Sequence, residues 1–327
     1  MTKTTDAARP SRRALIAAAV SMPAVLAASR VRAANPIRIG WIPSLTGPLA
    51  TAAIGFDHGV RFAVEELNAK GGIGGRPIEL VVRDTASDPT KAVNFAQQLL
   101  FSEKIQFMLG PVNSGESLAT IPIVSRAGIP NMVTGAVEEL IDPVKYPLAF
   151  RLANTTTQWI TVGNDYAVNG LKLRRIAIVG DTTGYGTSSV KRATELLKPM
   201  NVQIVSTALV DPNKTDLSDE MGKARAAGAE VVMPWTAASG LAARLINTRG
   251  DMGWRVPIIG HPVVGAPSIK PLLNKPEYWE NTFATGYRST SYGRDGKLPP
   301  RTQGKSIPLL TTEAVHSLTL PAMPTTP

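Results

Sequence analysis

The side chains able to do chemistry are few and scattered in this 327-residue chain. Its three histidines, His58, His261 and His316, stand far apart and in no metal-ligand spacing, and there is no cysteine to supply a thiolate, a disulfide or a lipid attachment point. No Gly-x-Ser-x-Gly elbow occurs. The run Gly180-Asp181-Thr182-Thr183-Gly184-Tyr185-Gly186 lacks both the lysine of a phosphate loop and the spacing of a dinucleotide fingerprint. Asp84 and Asp88 are close enough in sequence to suggest paired acids, but Asp84 ends an apolar run and Asp88 precedes a proline, as a helix-capping aspartate does. The pattern predicts no enzyme, no resident metal and no cofactor. What recurs instead is a small or polar turn closing an apolar run, at residues 44–48, 110–115, 134–136 (Thr134-Gly135-Ala136) and 180–186. Where such a turn opens a helix it presents free N–H groups and the positive end of the helix dipole, an arrangement that holds a polar ligand without transforming it.

The elements that must position these turns follow from periodicity. Short β-branched runs alternate with amphipathic stretches, the grammar of βαβ units on a parallel sheet. Strands are predicted over 37–42, 78–83, 105–109 and 129–133, with helices over 54–69, 88–102 and 114–126; Lys70-Gly71-Gly72 ends the first helix and Asp88-Pro89 starts the second. The pattern restarts with strands over 175–179, 202–209, 230–233 and 256–259 and helices over 186–198, 216–226 and 238–249. Two α/β lobes are implied, joined through residues 146–154, a segment without the Pro, Gly or Ser content of a long tether and so better suited to a hinge. In open α/β sheets ligands lie beyond the carboxyl ends of the strands, so two facing rims of turns predict a cleft between the lobes.

The first 33 residues read as an export signal. A basic stretch containing Ser11-Arg12-Arg13 precedes an apolar run over 14–28 and the small-residue pattern Val31-Arg32-Ala33, with cleavage expected after Ala33. About fifteen apolar residues fall short of the roughly 20 that span a bilayer. The twin arginine points to the Tat route, while Ala14 and Leu15, standing where an aromatic is often found, leave Sec export open. The periplasm is the predicted destination. This segment also carries much of the net charge of +10: six basic residues and one acid lie in it, leaving 29 against 24 beyond it, with no basic stripe or interleaved aromatics. Nucleic acid is excluded as a partner.

Several motifs, in order, then resemble a known family. They are Asn68-Ala69-Lys70-Gly71-Gly72-Ile73-Gly74-Gly75; Asp84 with Ser87-Asp88-Pro89 and Lys91-Ala92-Val93; Gly110-Pro111-Val112-Asn113-Ser114; and Arg175-Ile176-Ala177-Ile178-Val179 with Tyr185-Gly186. Together, from about residue 37 to 288, they resemble the branched-chain amino-acid-binding (leucine/isoleucine/valine) proteins of ABC transporters. The resemblance implies a type I periplasmic-binding fold: two Rossmann-like lobes with mainly parallel sheets, the first over 34–150 and 286–303, the second over 151–285, closing like a clamp on a small ligand. It implies a carboxylate site at Ser114 with the neighbouring turn Thr134, Gly135 and Ala136, contacts from Gln158 and Tyr185 of the second lobe, a monomer, and ABC permease subunits as partners. From the residues alone, Ser114 also reads as a helix N-cap, a role compatible with ligand contact, and Tyr185 as a packed turn aromatic. A ligand sensor feeding a membrane receptor, or an inactive remnant, would share the same cleft.

The departures from the family are informative. An acidic residue that pairs with the ligand ammonium aligns with His261-Pro262; a family tyrosine aligns with Ala237, and an aromatic of the first turn with Ala52 or Ala53. Because a buried ammonium without a counter-charge costs several kcal/mol, the resemblance as modified here implies a carboxylate- or amide-bearing ligand without the amine. Family members also continue well past the strand expected over 282–288. Residues 304–327 read as an irregular tail, with a trace of family pattern in 312–320, so the first lobe is expected to be incomplete and its apolar faces exposed.

Overall fold

The computed structural model of the chain describes residues 35–286 and 310–311. The expected signal peptide, nearly all of the expected first-lobe return over 286–303 and most of the tail lie outside the described residues. Two sheets form the frame. Five parallel strands, β1 (Ile37–Trp41), β2 (Ile78–Val82), β3 (Phe107–Leu109), β4 (Asn131–Val133) and β5 (Ala149–Arg151), are ordered β2-β1-β3-β4-β5. The second sheet holds β6 (Arg175–Asp181), β7 (Gln203–Val210), β8 (Val231–Trp235), β9 (Ile258–Gly260), β10 (Thr282–Ala284) and β11 (Leu310–Thr311), ordered β11-β10-β9-β8-β6-β7. Its strands run parallel except β11, which lies antiparallel on β10. The expected α/β fold with two mainly parallel sheets is present. Two residues of the expected irregular tail, Leu310 and Thr311, are strand instead.

Helices connect the strands: α1 (Ala50–Ala69), α2 (Pro89–Gln97), α3 (Ser114–Arg126), α4 (Thr156–Asp165), α5 (Gly184–Leu197), α6 (Ser218–Ala226) and α7 (Ser239–Asp251). α2 begins as expected, with Asp88 capping it by accepting from the N–H groups of Thr90 and Lys91 at 2.7 and 3.3 Å and Pro89 at its first position. Asp88→Ala should therefore cost about 1 kcal/mol, read as a small drop in the thermal midpoint with ligand binding unchanged. The helix expected to run through 102 stays α only to Gln97; a π turn over Gln98–Ser102 finishes it. β5 lies within the stretch read as a hinge, residues 146–154, and α4 begins just after it.

The first sheet is covered unequally. Ile42, Val81, Leu99, Ile105, Met108 and Val124 form a core beneath α2 and α3 on one face. On the other, register aligns Val82, Trp41, Leu109, Met132 and Phe150 in one row across all five strands. α1 covers one end of that row, where Ala53, Phe56 and Val60 pack near Trp41 and the Trp41 indole N–H donates to buried Asp57 at 2.9 Å. The β5 end is open among the described residues: Phe150 is 48% exposed and Leu152 66%. On α1 itself only Ala53 and Asp57 are buried, while Phe62 is 68% exposed.

The two sheets are not separate bodies. Leu49, from the turn before α1, is buried in the core of the second sheet. Val133, Ala136 and Leu140 share a core with Trp159, Tyr185 and Trp235. α3 and α5 meet at their first turns: a Cβ built on Gly184 would stand 2.7 Å from the Gly115 Cα, so only glycines allow so close an approach. This is a closed arrangement of the lobes.

Candidate ligand-binding cleft

The site is assembled from strand ends. Behind the first rim, Asp84 at the end of β2 accepts from the N–H groups of Leu45 and Ala86 at 2.8 and 2.9 Å and from the Thr46 hydroxyl at 2.8 Å, fixing the turn after β1. These hydrogen bonds hold its carboxyl below the ordinary range despite desolvation, which pulls the other way. Asp84 is a loop anchor, and so is Asp181 in the second lobe: fully buried, it accepts from the Thr183 N–H at 3.0 Å and the Thr236 hydroxyl at 2.5 Å, tying the turns after β6 and β8 together.

Between these rims lies a cavity of about 310 Å³, bordered by Leu49, Thr51, Ala52, Phe56, Val112, Asn113, Ser114, Thr134, Gly135 and Ala136 from the first side and Trp159, Tyr185, Ala237, His261, Pro262, Val263 and Ala266 from the second. No Asp, Glu, Lys or Arg is among them. Polar hydrogens are carried by Thr51, Asn113, Ser114, Thr134, His261, the Tyr185 hydroxyl, the Trp159 indole and the backbone; the rest of the lining is apolar.

Six of the seven residues singled out from the sequence border this cavity. Ser114 is buried, and its Oγ accepts from the Ala136 N–H at 3.0 Å, which leaves its own hydroxyl hydrogen to donate. It is not the N-cap of α3. That role belongs to Asn113, whose Oδ1 accepts from the Glu116 N–H at 3.1 Å, so Ser114 occupies the first helical position. The N–H groups of Ser114 and Gly115 have no acceptor within the helix. Two expectations need correction here. The Ala136 N–H, expected to be free for the ligand, is taken by Ser114, and the Thr134 hydroxyl is spent on the Val112 carbonyl at 3.0 Å. Gly135 packs against the start of α3, where a Cβ would stand 2.6 Å from Leu140 and 3.1 Å from the Ser114 Cα.

Gln158 is the residue that does not reach the cavity. It is exposed, and its side chain accepts from the Thr155 N–H at 2.8 Å while Thr155 Oγ1 accepts from the Gln158 N–H at 3.2 Å, a capping box at the start of α4. Its neighbour Trp159 faces the cleft instead. Phe56, one turn beyond Ala52 on α1, places an aromatic in the wall where the resemblance implies that one is lost. Its i+4 spacing from Ala52 was the available signal. Tyr185 is 4% exposed and is both packed and cleft-lining.

His261 holds the centre of the second wall. Its ring meets Trp159 edge-on at 5.2 Å and Tyr185 at 5.0 Å, and its Nδ1 accepts from the Val263 N–H at 3.1 Å. Desolvation pushes its pKa down to about 3, so the ring is neutral. The chemical character of the site is therefore a neutral, aromatic-walled pocket whose strongest fixed polarity is the N-terminus of α3, with that of α5 meeting it across the cleft.

A family model described as periplasmic binding protein matches residues 36–295. The chain belongs to the periplasmic binding protein family. The relatives of this periplasmic binding protein include the Leu/Ile/Val-binding protein homolog 7 of Brucella suis, 30% identical over 228 residues that make up 66% of this chain and 55% of the relative. The chain thus spans little more than half the length of that relative. Among solved structures, the branched-chain amino acid transporter substrate binding protein LivJ of Streptococcus pneumoniae, in complex with isoleucine, superposes with a TM-score of 0.69 at 22% identity, covering 76% of this chain and 70% of that one. An ABC transporter solute binding protein of Rhodopseudomonas palustris, in complex with 4-hydroxybenzoate, superposes with a TM-score of 0.67 at 19% identity, covering 76% and 67%. Both share the type I periplasmic-binding fold with this chain. Among the described residues of this periplasmic binding protein there is no cluster of potential metal ligands, and no helix is long and apolar enough to cross a membrane.

Proposed function

We propose that this chain is the solute receptor of an ABC transporter: a periplasmic, exported monomer that closes its lobes on a small carboxylate lacking an ammonium group and presents it to permease subunits. Membership in a family of periplasmic binding proteins supports the extracytoplasmic location and a role in binding, not catalysis. The observation that carries the ligand reading is the convergence of two helix N-termini, those of α3 and α5, on a closed cleft with no ionised side chain in its walls. Two positive dipole ends brought together oppose closure until an anion lies between or beside them. An ammonium would find no carboxylate in the same walls, and leaving it unpaired there would cost several kcal/mol. Phe56, Trp159 and Tyr185 offer ring faces and edges to a flat apolar body. The two solved relatives named above bind isoleucine in one case and 4-hydroxybenzoate in the other; the chemistry of this cleft sides with the second.

Calorimetry of the mature chain with benzoate, 4-hydroxybenzoate, leucine and isoleucine tests the reading. The aromatic acids should bind and raise the thermal midpoint, and the amino acids should bind at least 100-fold more weakly or not at all. Tight binding of leucine without binding of either acid would overturn it.

A further inference from the structure

The carboxylate reading accounts for the first wall of the cleft and leaves the second without an assigned polar role. His261 is the polar side chain there whose hydrogen-bonding state the backbone fixes. The Val263 N–H donates to Nδ1 at 3.1 Å, so Nδ1 is an acceptor, and a neutral imidazole then carries its proton on Nε2. Among the described residues no hydrogen bond is made to Nε2, and the ring borders the cavity. Trp159 and Tyr185 pack against the ring at 5.2 and 5.0 Å and hold its plane. The result is an N–H, fixed in tautomer and clamped in direction, in a wall it shares with the two polar-tipped aromatics and with the apolar Val263, Ala237 and Ala266.

We propose that His261 is a specificity-determining residue: a neutral, single-tautomer donor that reads an acceptor oxygen on the ligand's body, so that the preferred ligand is a ring-hydroxylated or carbonyl-bearing aromatic carboxylate. This rests on the carboxylate reading of the same cleft. An apolar wall separates ligands that differ by a methyl group only weakly. A dry N–H without a partner discriminates much more strongly, because a ligand lacking the acceptor leaves that N–H unpaired. The low basicity of the ring supports the assignment, since it keeps the imidazole neutral across the ordinary pH range and removes any preference for a second anionic group.

The test compares isomeric hydroxybenzoates with the methylbenzoates of matching shape, by calorimetry on the full mature chain and on His261→Phe, which keeps an aromatic ring against Trp159 and Tyr185. In the unaltered chain at least one hydroxybenzoate should bind ten-fold or more tightly than its methyl counterpart. In His261→Phe that ratio should fall to near one, with methylbenzoate affinity within about three-fold of its starting value. A merely structural role would weaken both acids alike and leave the ratio standing, which would overturn the inference; so would equal binding of the two acids by the unaltered chain, with the carboxylate reading intact. If no benzoate binds the unaltered chain, both fall together. Should His261→Phe not fold, His261→Leu, which likewise removes the donor, is read by the same ratio.

Discussion

Ser114→Asp is expected to abolish carboxylate binding while leaving the fold in place. Ser114 stands at the first position of α3 with its hydroxyl hydrogen free to donate and with unpaired N–H groups beside it. An aspartate there is favourable for the helix, because a negative charge at an N-terminus interacts well with the dipole, and its carboxylate can still accept from the Ala136 N–H. For the ligand the change is severe. Two like charges about 4 Å apart at an effective dielectric of about 20 repel by roughly 4 kcal/mol. Affinity for the aromatic acid selected in the calorimetry above should fall by at least 100-fold, about 3 kcal/mol, with only a small change in melting temperature. The sign of the effect is what matters. A receptor for a cationic or zwitterionic ligand oriented with its ammonium toward α3 would gain affinity from the same substitution, and that result would remove the anion from this end of the cleft.

The fold was more legible than the site. α3 starts and stops where its pattern says, and Asp88-Pro89 marks the start of α2, because in each a short-range signal and the apolar period agree. α1 starts at Ala50, four residues before the expected boundary, and Leu49 ahead of it provides no side-chain cap, so nothing local announces that start. β5 was missed for a different reason: it is three residues long, its central Phe150 is exposed, and only the register with β4 makes it a strand. Gln158 shows how a correct local signal can be given the wrong job. Thr155-x-x-Gln158 is a capping-box signature, and the box consumes the side chain that the family resemblance had assigned to the ligand. Cleft residues such as Phe56, Trp159 and Val263 come from elements of both lobes, and their convergence depends on how the lobes close, which periodicity does not encode.

Glu116 shows how closely the stability of this rim and its ligand chemistry are linked. It sits in the first turn of α3, wholly buried; its Oε2 accepts from Asn113 Nδ2 at 2.6 Å and from the Ser44 hydroxyl at 2.8 Å, and its Oε1 has no partner. Desolvation raises its pKa to about 7, opposed by hydrogen bonds from Thr85, Ser44 and Asn113 and reinforced by the nearby charge of Asp84. In the unfolded chain the group titrates near the ordinary 4.5. The folded state therefore holds a proton that the unfolded state has lost between these values. The stability this contributes is complete below about pH 4.5, declines through the interval, and is gone above about pH 7, a difference of about 3 kcal/mol. Glu116→Gln keeps the shape and removes the titration, so relative to the unaltered chain it should gain about 3 kcal/mol between pH 4.5 and pH 8. Paired denaturant melts at the two pH values measure this directly, and a difference that does not change with pH would show that Glu116 is not protonated in the folded rim. The same proton bears on function. An anion seated at the α3 N-terminus makes ionisation of Glu116 harder, so binding takes up a proton and carboxylate affinity should weaken as pH rises through 7. In Glu116→Gln the affinity should be flat over that range, because the buried group behind the anion site can no longer become a competing negative charge.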